Sequence, residues 1–296
     1  HNEEVYMNQN ETTPARRVPA RWRRLCVCLL AALVLSLCPV ALPASAATTV
    51  PVTLPSGSAL SGALLLDGVT YVPLRAFCSS VDTCEIRWDA KTRTAFVTLS
   101  SDVTVAATQD ATYLWYGGRC FYTVTPIRNV GGTLYVPIRP LARCFGLEAV
   151  WSSASRSVRL QRNANADMNA SHSYYDADDL YWLSRIIQAE AGGESFRGQI
   201  AVGNVVLNRV RSSQYPNSVY GVVFDKKFGV QFTPAATGQI YNEPSASAIR
   251  AAKICLEGYT LSDRILYFFN PAIASSSWIA QNRTYAFRIG GHVFYE

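Results

Sequence analysis

The stretch Ile187-Gln188-Ala189-Glu190-Ala191-Gly192-Gly193-Glu194 sets two carboxylates four residues apart around a glycine pair. Leu180, Leu183, Ile186 and Ile187 precede it at helical spacing. Continuing that face puts Glu190 three residues after Ile187, four after Ile186 and seven after Leu183, so its carboxyl projects from the apolar side of a helix that the glycines then end. Burial against apolar neighbours disfavours the charged form, so Glu190 is expected to keep its proton near neutrality and to be able to donate it. General-acid cleavage of a glycosidic bond requires such a group, because the leaving oxygen must be protonated as the C–O bond breaks. Spacing alone equally allows a helix-end Glu paired with an Arg. Glu194 is the alternative acid, or a charge that complements the next helix.

Other chemistry-bearing residues lie downstream. Asp225, Glu243 and Asp263 could supply a hydrolytic base, but each sits in a polar, turn-like context where solvated caps are expected. Gln231 beside Phe232, and Asn270 between Phe269 and Pro271, are suited to hydrogen-bond N-acetyl or hydroxyl groups of a sugar. Tyr267 and Trp278 offer flat apolar faces to pyranose rings, although Trp278 reads as readily as a core or rim aromatic. His292 reads as a satisfied histidine of a C-terminal strand, and with His172 the only other histidine past the first residue, no metal site is expected. No cofactor is implied.

The elements that must position these groups follow from the pattern. Asp178-Asp179 are candidate caps for the helix bearing Glu190. A second helix, about Ser195 to Arg211, carries Ile200, Gly203, Leu207 and Val210 inward, and a third runs from Ser245 as N-cap to Glu257, ended by Gly258. The tail Ile265–Glu296 is richer in aromatic and β-branched residues and is expected to end in a hairpin around Gly290-Gly291. Upstream, Gly68-Val-Thr-Tyr-Val-Pro-Leu-Arg75 repeats as Gly132-Thr-Leu-Tyr-Val-Pro-Ile-Arg139, each copy followed by a helical stretch, a Trp (Trp88, Trp151) and an alternating strand. The Asn/Ala/Ser-rich segment 163–174 reads as a linker. At the N-terminus, five arginines between Arg16 and Arg24 precede the apolar run Leu25–Leu37 and the triplet Ala44-Ser45-Ala46, which predicts a secretory signal cleaved after Ala46. The expected organisation is therefore 1–46 signal, 47–162 repeats, 163–174 linker and 175–296 the carboxylate-bearing domain. Membrane contact is expected only through the signal segment.

Length and composition support two packed domains: 296 residues, 49% hydrophobic and 16% charged. The net charge of +6 divides as +2 in 1–46 (five basic, three acidic), +4 in 47–162 (eleven, seven) and zero in 163–296 (eleven, eleven). No basic run follows the signal, which argues against nucleic acid as a partner. Of eight cysteines, Cys26, Cys28 and Cys38 would leave with the signal; Cys78, Cys84, Cys120 and Cys144 allow three pairings in an exported domain, with a short Cys78–Cys84 loop preferred, and Cys255 reads as a buried thiol.

Two resemblances are carried by these motifs. The repeats, with Tyr-Val-Pro-Leu-Arg and Trp88-Asp89, resemble the copper amine oxidase N-terminal-like (stalk) domain of exported proteins; the second copy departs with Trp151-Ser152. That likeness implies a wall-facing spacer or binding module, and without a histidine cluster it does not imply copper. Residues 175–296, through Ala189-Glu-Ala-Gly-Gly-Glu194, Gly198-Gln-Ile-Ala-Val-Gly-Asn-Val-Val-Leu-Asn-Arg209, Gly229-Val-Gln-Phe-Thr-Pro234, Leu266-Tyr-Phe-Phe-Asn-Pro271 and Ile289-Gly-Gly-His-Val-Phe-Tyr295, resemble the cell wall hydrolase SleB (spore cortex-lytic enzyme) family. The implied architecture is α+β: a lysozyme-like, mostly helical catalytic domain with a small β element, behind a two-repeat α+β stalk. The implied partner is peptidoglycan, the implied activity a lytic transglycosylase with one catalytic glutamate at Glu190, and the implied location secreted, extracellular or wall-associated.

Overall fold

A computed structural model describes residues 47–227, 231–274 and 276–296, which form one compact unit from Ala47 onward. The expected signal, with Cys26, Cys28 and Cys38, lies outside the described residues, as does Gly229.

In the middle region Val69–Pro73 (β1) leads into the helix Leu74–Val81 (α1) and the hairpin Cys84–Asp89 (β2), Thr94–Leu99 (β3). Thr104–Thr108 (β4), Tyr113–Tyr116 (β5) and Arg119–Tyr122 (β6) extend that hairpin into a five-stranded antiparallel sheet of order β6-β5-β4-β3-β2. Thr133–Pro137 (β7), the helix Ile138–Cys144 (α2) and the hairpin Leu147–Ser152 (β8), Ser157–Arg162 (β9) then repeat the strand–helix–hairpin order. The matched Tyr-Val-Pro motifs pair with each other: Val72 lies opposite Val136, Tyr71 opposite Pro137 and Pro73 opposite Tyr135. Each proline then caps a helix, where the donor it lacks is not missed. Phe77, Val72, Val136, Leu141 and Leu160 close the core between these elements.

All five described cysteines are free thiols. The Cys78–Cys84 loop preferred from spacing does not form, because Cys78 shares the buried face of α1 with Leu74 and Phe77 while Cys84 opens β2 beside the Ser79 hydroxyl. Cys120 lies apart from the others, in the C-terminal core.

The three longest helices of the described C-terminal region are Ala177–Ala191 (α3), Phe196–Arg211 (α4) and Ala246–Leu256 (α5). The cap of α3 is Asp176, not the Asp178-Asp179 pair; its carboxylate accepts from the backbone N–H of both, at 3.0 and 2.9 Å, and leaves them as first-turn acids facing the helix dipole. Ser195 and Ser245 cap α4 and α5. Leu183, Ile186 and Ile187 on α3 are wholly buried, each contributing about 1.5–3 kcal/mol of transfer free energy. At the helix crossing Gly203 is required, since a Cβ there would meet Cys255 Sγ at 2.7 Å and Ile187 Cδ1 at 2.9 Å. A strand Tyr267–Phe269 (β10), the short helix Trp278–Asn282 (α6) and the hairpin Tyr285–Ile289 (β11), His292–Tyr295 (β12) complete the chain, β12 lying between β10 and β11.

Segment 163–174 has no helix or strand, yet it is tied down. Gly118 N–H donates to Ala170 O at 3.0 Å, and the Arg119 guanidinium donates to the carbonyls of Asp167 and Asn169. The β5–β6 hairpin packs directly on the helical region. Arg119 forms a two-pronged ion pair with Glu257, both contacts 2.7 Å, with side chains only 6% and 3% exposed. Tyr175 Oη donates to Glu257 Oε1 at 2.8 Å and accepts from Cys120 N–H at 3.1 Å. Tyr122 meets Tyr259 and Phe196 edge-on, and Lys253 Nζ, over the Trp115 ring, donates to Gly118 O at 2.8 Å. The middle region thus shares apolar core and a buried ion pair with the helices, which a free tether would not do.

Candidate active site

Glu190 sits in the last turn of α3, partly buried, on a cavity of about 980 Å³. Burial pushes its carboxyl up to about 7, opposed by the positive charge of Arg209. Near neutral pH the group therefore exists in both protonation states, as a residue that first gives and then takes a proton must.

Helix α4 organises the rest of the cavity through a row of buried polar side chains. Asn204 donates to Tyr259 O at 2.8 Å and accepts from Leu261 N–H at 2.9 Å. Asn208 donates to the carbonyls of Ser262 and Ile265 at 3.0 and 2.9 Å, and Arg209 Nε donates to Leu266 O at 2.8 Å. At spacings of four and five residues these side chains pin the segment 259–266, which delivers β10 to the cavity wall. The asparagines of the Gly198–Arg209 motif are thus structural.

Gln231, Tyr267, Asn270 and Trp278 all line the same cavity as Glu190. Asn270 Oδ1 accepts from Ala272 N–H at 3.0 Å, and Trp278 is 52% exposed at the rim, with the Arg283 guanidinium 5.0 Å from its ring. Glu194 does not join them. Its carboxylate accepts from Gly291 N–H, at 3.2 Å to one oxygen and 3.3 Å to the other, and so clamps the β11–β12 hairpin onto the turn between α3 and α4. Gly290 makes that clamp possible, with φ at +55° and a Cα against which any Cβ would collide with the Glu194 carboxylate. Glu194 thus holds the hairpin in place beside the cavity wall.

His292 departs from its sequence reading. It is buried against Phe268 on the cavity wall, among the described residues its Nδ1 has no hydrogen-bond partner, and burial lowers its pKa. Arg209, Tyr215 and Arg283 also line the cavity and were not foreseen there. The signal for Arg209 was weak, because a basic residue in the last turn of a helix has an ordinary explanation in the helix dipole.

Glu190 is the only carboxyl among the described lining residues. Glu243 pairs with Arg185 at 2.7 Å, and Asp225 accepts from Lys227 N–H at 2.9 Å; neither reaches the cavity, nor does Asp263. Asp225 is not simply a solvated cap: its Oδ2 is buried with no hydrogen-bond partner among the described residues, and its charge acts on Arg209. No group of three or more His, Cys, Asp or Glu among the described residues is arranged to hold a metal ion. Another cavity, about 490 Å³ beside Trp151 and Arg139 in the middle region, is largely apolar and is lined by no carboxyl.

Residues 193–295 match the family described as Cell Wall Hydrolase, and residues 60–160 the Copper amine oxidase N-terminal domain. The C-terminal region belongs to that hydrolase family. Among its relatives are the spore cortex-lytic enzyme of Bacillus subtilis strain 168, 40% identical over 122 residues (41% of this chain, 39% of that protein), and that of Bacillus cereus strain ATCC 14579, 38% identical over 120 residues (40% and 45%). The solved catalytic domain of the germination-specific lytic transglycosylase SleB from Bacillus anthracis is 37% identical, covering 42% of this chain and 98% of that one, with a TM-score of 0.38. The chain spans less than half the length of these spore cortex-lytic enzymes.

Proposed function

We propose that this chain is an exported, wall-associated lytic enzyme that cleaves the glycosidic bond between N-acetylmuramic acid and N-acetylglucosamine in peptidoglycan, as a lytic transglycosylase with Glu190 as its single acid/base. The observation that carries the reading is one carboxyl, poised near 7, alone in a cavity of about 980 Å³. Protonated Glu190 gives its hydrogen to the glycosidic oxygen as the C1–O bond breaks with oxocarbenium character. The resulting carboxylate takes the proton from the muramic 6-hydroxyl, whose oxygen bonds to C1 and closes a 1,6-anhydro ring. No second carboxylate is needed for this route, whereas water-dependent hydrolysis requires a second base or nucleophile. Gln231 and Asn270 supply amide donors and acceptors to sugar substituents, and Tyr267 and Trp278 supply stacking faces.

The lysozyme-like reading of 175–296 rests on the order of its sequence motifs. The mutual pairing of the two Tyr-Val-Pro strands supports a two-repeat stalk at 47–162, with 163–174 as the connection and 1–46 as a cleaved signal. The test is digestion of purified sacculi by the chain and by Glu190→Gln, followed by mass spectrometry. Anhydro products, one water lighter than reducing-end products, are expected from the unmodified chain alone; reducing ends would make it a hydrolase, and full activity of Glu190→Gln would defeat the assignment.

A further inference from the structure

Five aromatic rings meet around the N-terminal half of α3. Trp182 is their hub: its ring centre lies 4.8 Å from that of Tyr181, 5.4 Å from Tyr220, 5.1 Å from Phe224 and 6.1 Å from Tyr241, each at a steep angle, and Tyr220 meets Phe224 at 4.7 Å. Trp182 and Phe224 pack back against the core, while Tyr181, Tyr220 and Tyr241 are 42%, 49% and 60% exposed. A single exposed tyrosine is ordinary, but a contiguous cluster of rings calls for a reason. The cluster is also held rigidly. Trp182 Nε1 donates to the Asp178 carboxylate at 3.0 Å, and the Arg185 guanidinium carbon lies 3.7 Å from the Tyr181 ring centre while its Nη2 pairs with Glu243 at 2.7 Å.

None of the five rings lines the Glu190 cavity, yet the segments that carry them lead out of it. Gln214 and Tyr215 line the cavity, and the short helix Val219–Val223 with Tyr220 follows. Gln239 lines it too, and Tyr241 ends the same 3₁₀ turn. Helix α3 spans both places, since Trp182, Ile186 and Glu190 fall on one i, i+4 row with about 12 Å of helix between ring and acid.

We propose that this aromatic platform is a distal glycan subsite, on which sugar rings of the strand held in the cavity stack outside it while the scissile bond lies at Glu190. This rests on the lytic reading above and adds a preference for long strands over short fragments. A pyranose ring presents an apolar C–H face with hydroxyls at its edge, and a tyrosine matches it with a flat ring and a hydroxyl at its tip. The cation touching the rings, Arg185, is already paired, so the surface offers ring faces rather than a guanidinium held out to a phosphate or carboxylate. Side chains fixed before the ligand arrives lose little freedom on binding it.

The test is calorimetric titration of the full chain bearing Glu190→Gln, which binds without turning over, with soluble peptide-free glycan strands of two length classes, one only long enough to fill the cavity. The longer strands are expected to bind more tightly. Adding Tyr220→Ala and Tyr241→Ala should remove that advantage, weakening long-strand binding about fivefold to a hundredfold, as for loss of two aromatic contacts. Both side chains are exposed, so the fold should survive, which thermal melting verifies. Tyr220→Phe with Tyr241→Phe keeps the rings and should keep the advantage. Tyr285→Ala, at a tyrosine equally exposed but outside platform and cavity, should bind long strands as the parent does. A parent chain that binds both lengths alike, or an alanine pair that binds long strands as well as the parent, overturns the proposal and leaves the lytic reading intact. So does a parent dimer that the alanine pair turns into monomer, since the patch would then be a contact between copies. Failure of the parent to bind any strand overturns both.

Discussion

Glu190→Gln can be tested with no substrate present, through the pH dependence of stability. The unfolded carboxyl ionises near 4.5 and the folded one near 7. Below about 4.5 both states hold the proton, and the group imposes no penalty on folding. As pH rises from there, only the unfolded chain gives up its proton, so stability falls steadily, and above the folded value the loss is complete. At about 1.4 kcal/mol for each pH unit between the two values, the total is about 3 kcal/mol. Removing the ionisable group removes that loss. Relative to the unmodified chain, Glu190→Gln should therefore gain about 3 kcal/mol between about pH 4 and pH 8.5, or roughly 6–12 °C in Tm at about 2–4 °C per kcal/mol for a unit of this size. Denaturant titrations at the two pH values supply the measurement. A stability difference between the two proteins that does not change with pH would show that the carboxyl lies in water, and the reasoning about its proton would fail.

Three further outcomes follow from the same geometry. Turnover on sacculi should decline above about pH 7 along a single-proton limb as the acid ionises, and a rate that keeps rising to pH 9 would contradict the assignment. Arg119→Ala strands Glu257 in the contact between hairpin and helices, so a loss of about 3–5 kcal/mol is expected with both regions still melting in one transition; an unchanged Tm would count against the shared core. Gly290→Ala forces a β-carbon onto the Glu194 carboxylate at positive φ and should cost about 2 kcal/mol or more with loss of activity, whereas Gly193→Ala, where a β-carbon meets nothing within 4 Å, should be tolerated; equal behaviour would refute the clamp.

The helices were legible because their apolar spacing and caps are local: Leu183, Ile186 and Ile187 face the core as their period requires, and Ser195 and Ser245 cap as their positions imply. Glu190 was legible for the same reason, being a polar residue on that face. The hairpin around Gly290-Gly291 followed from its glycines and the alternation before it. What escaped notice depends on distant segments meeting. Tyr113-Leu-Trp-Tyr116 alternates like any half-buried strand, and nothing in it announces that its second face is covered by the helix Ala246–Leu256. For that reason removing 47–162 is expected to disturb the helical region, uncovering Glu257 and the apolar surface around Cys120. Glu194 looked like chemistry because carboxylates near glycines suggest a site, yet its partner, Gly291 N–H, lies 97 residues away. Arg209 and His292 enter the cavity only once the last strands fold back over α4.

The central claim is that one protonated side chain, Glu190, breaks the glycan strand. Its most direct measurement is muropeptide analysis by mass spectrometry of sacculi digested with the unmodified chain and with Glu190→Gln, both verified as folded. The account predicts 1,6-anhydromuramic ends from the first and no soluble fragments from the second. Fragments released equally by both proteins would contradict it.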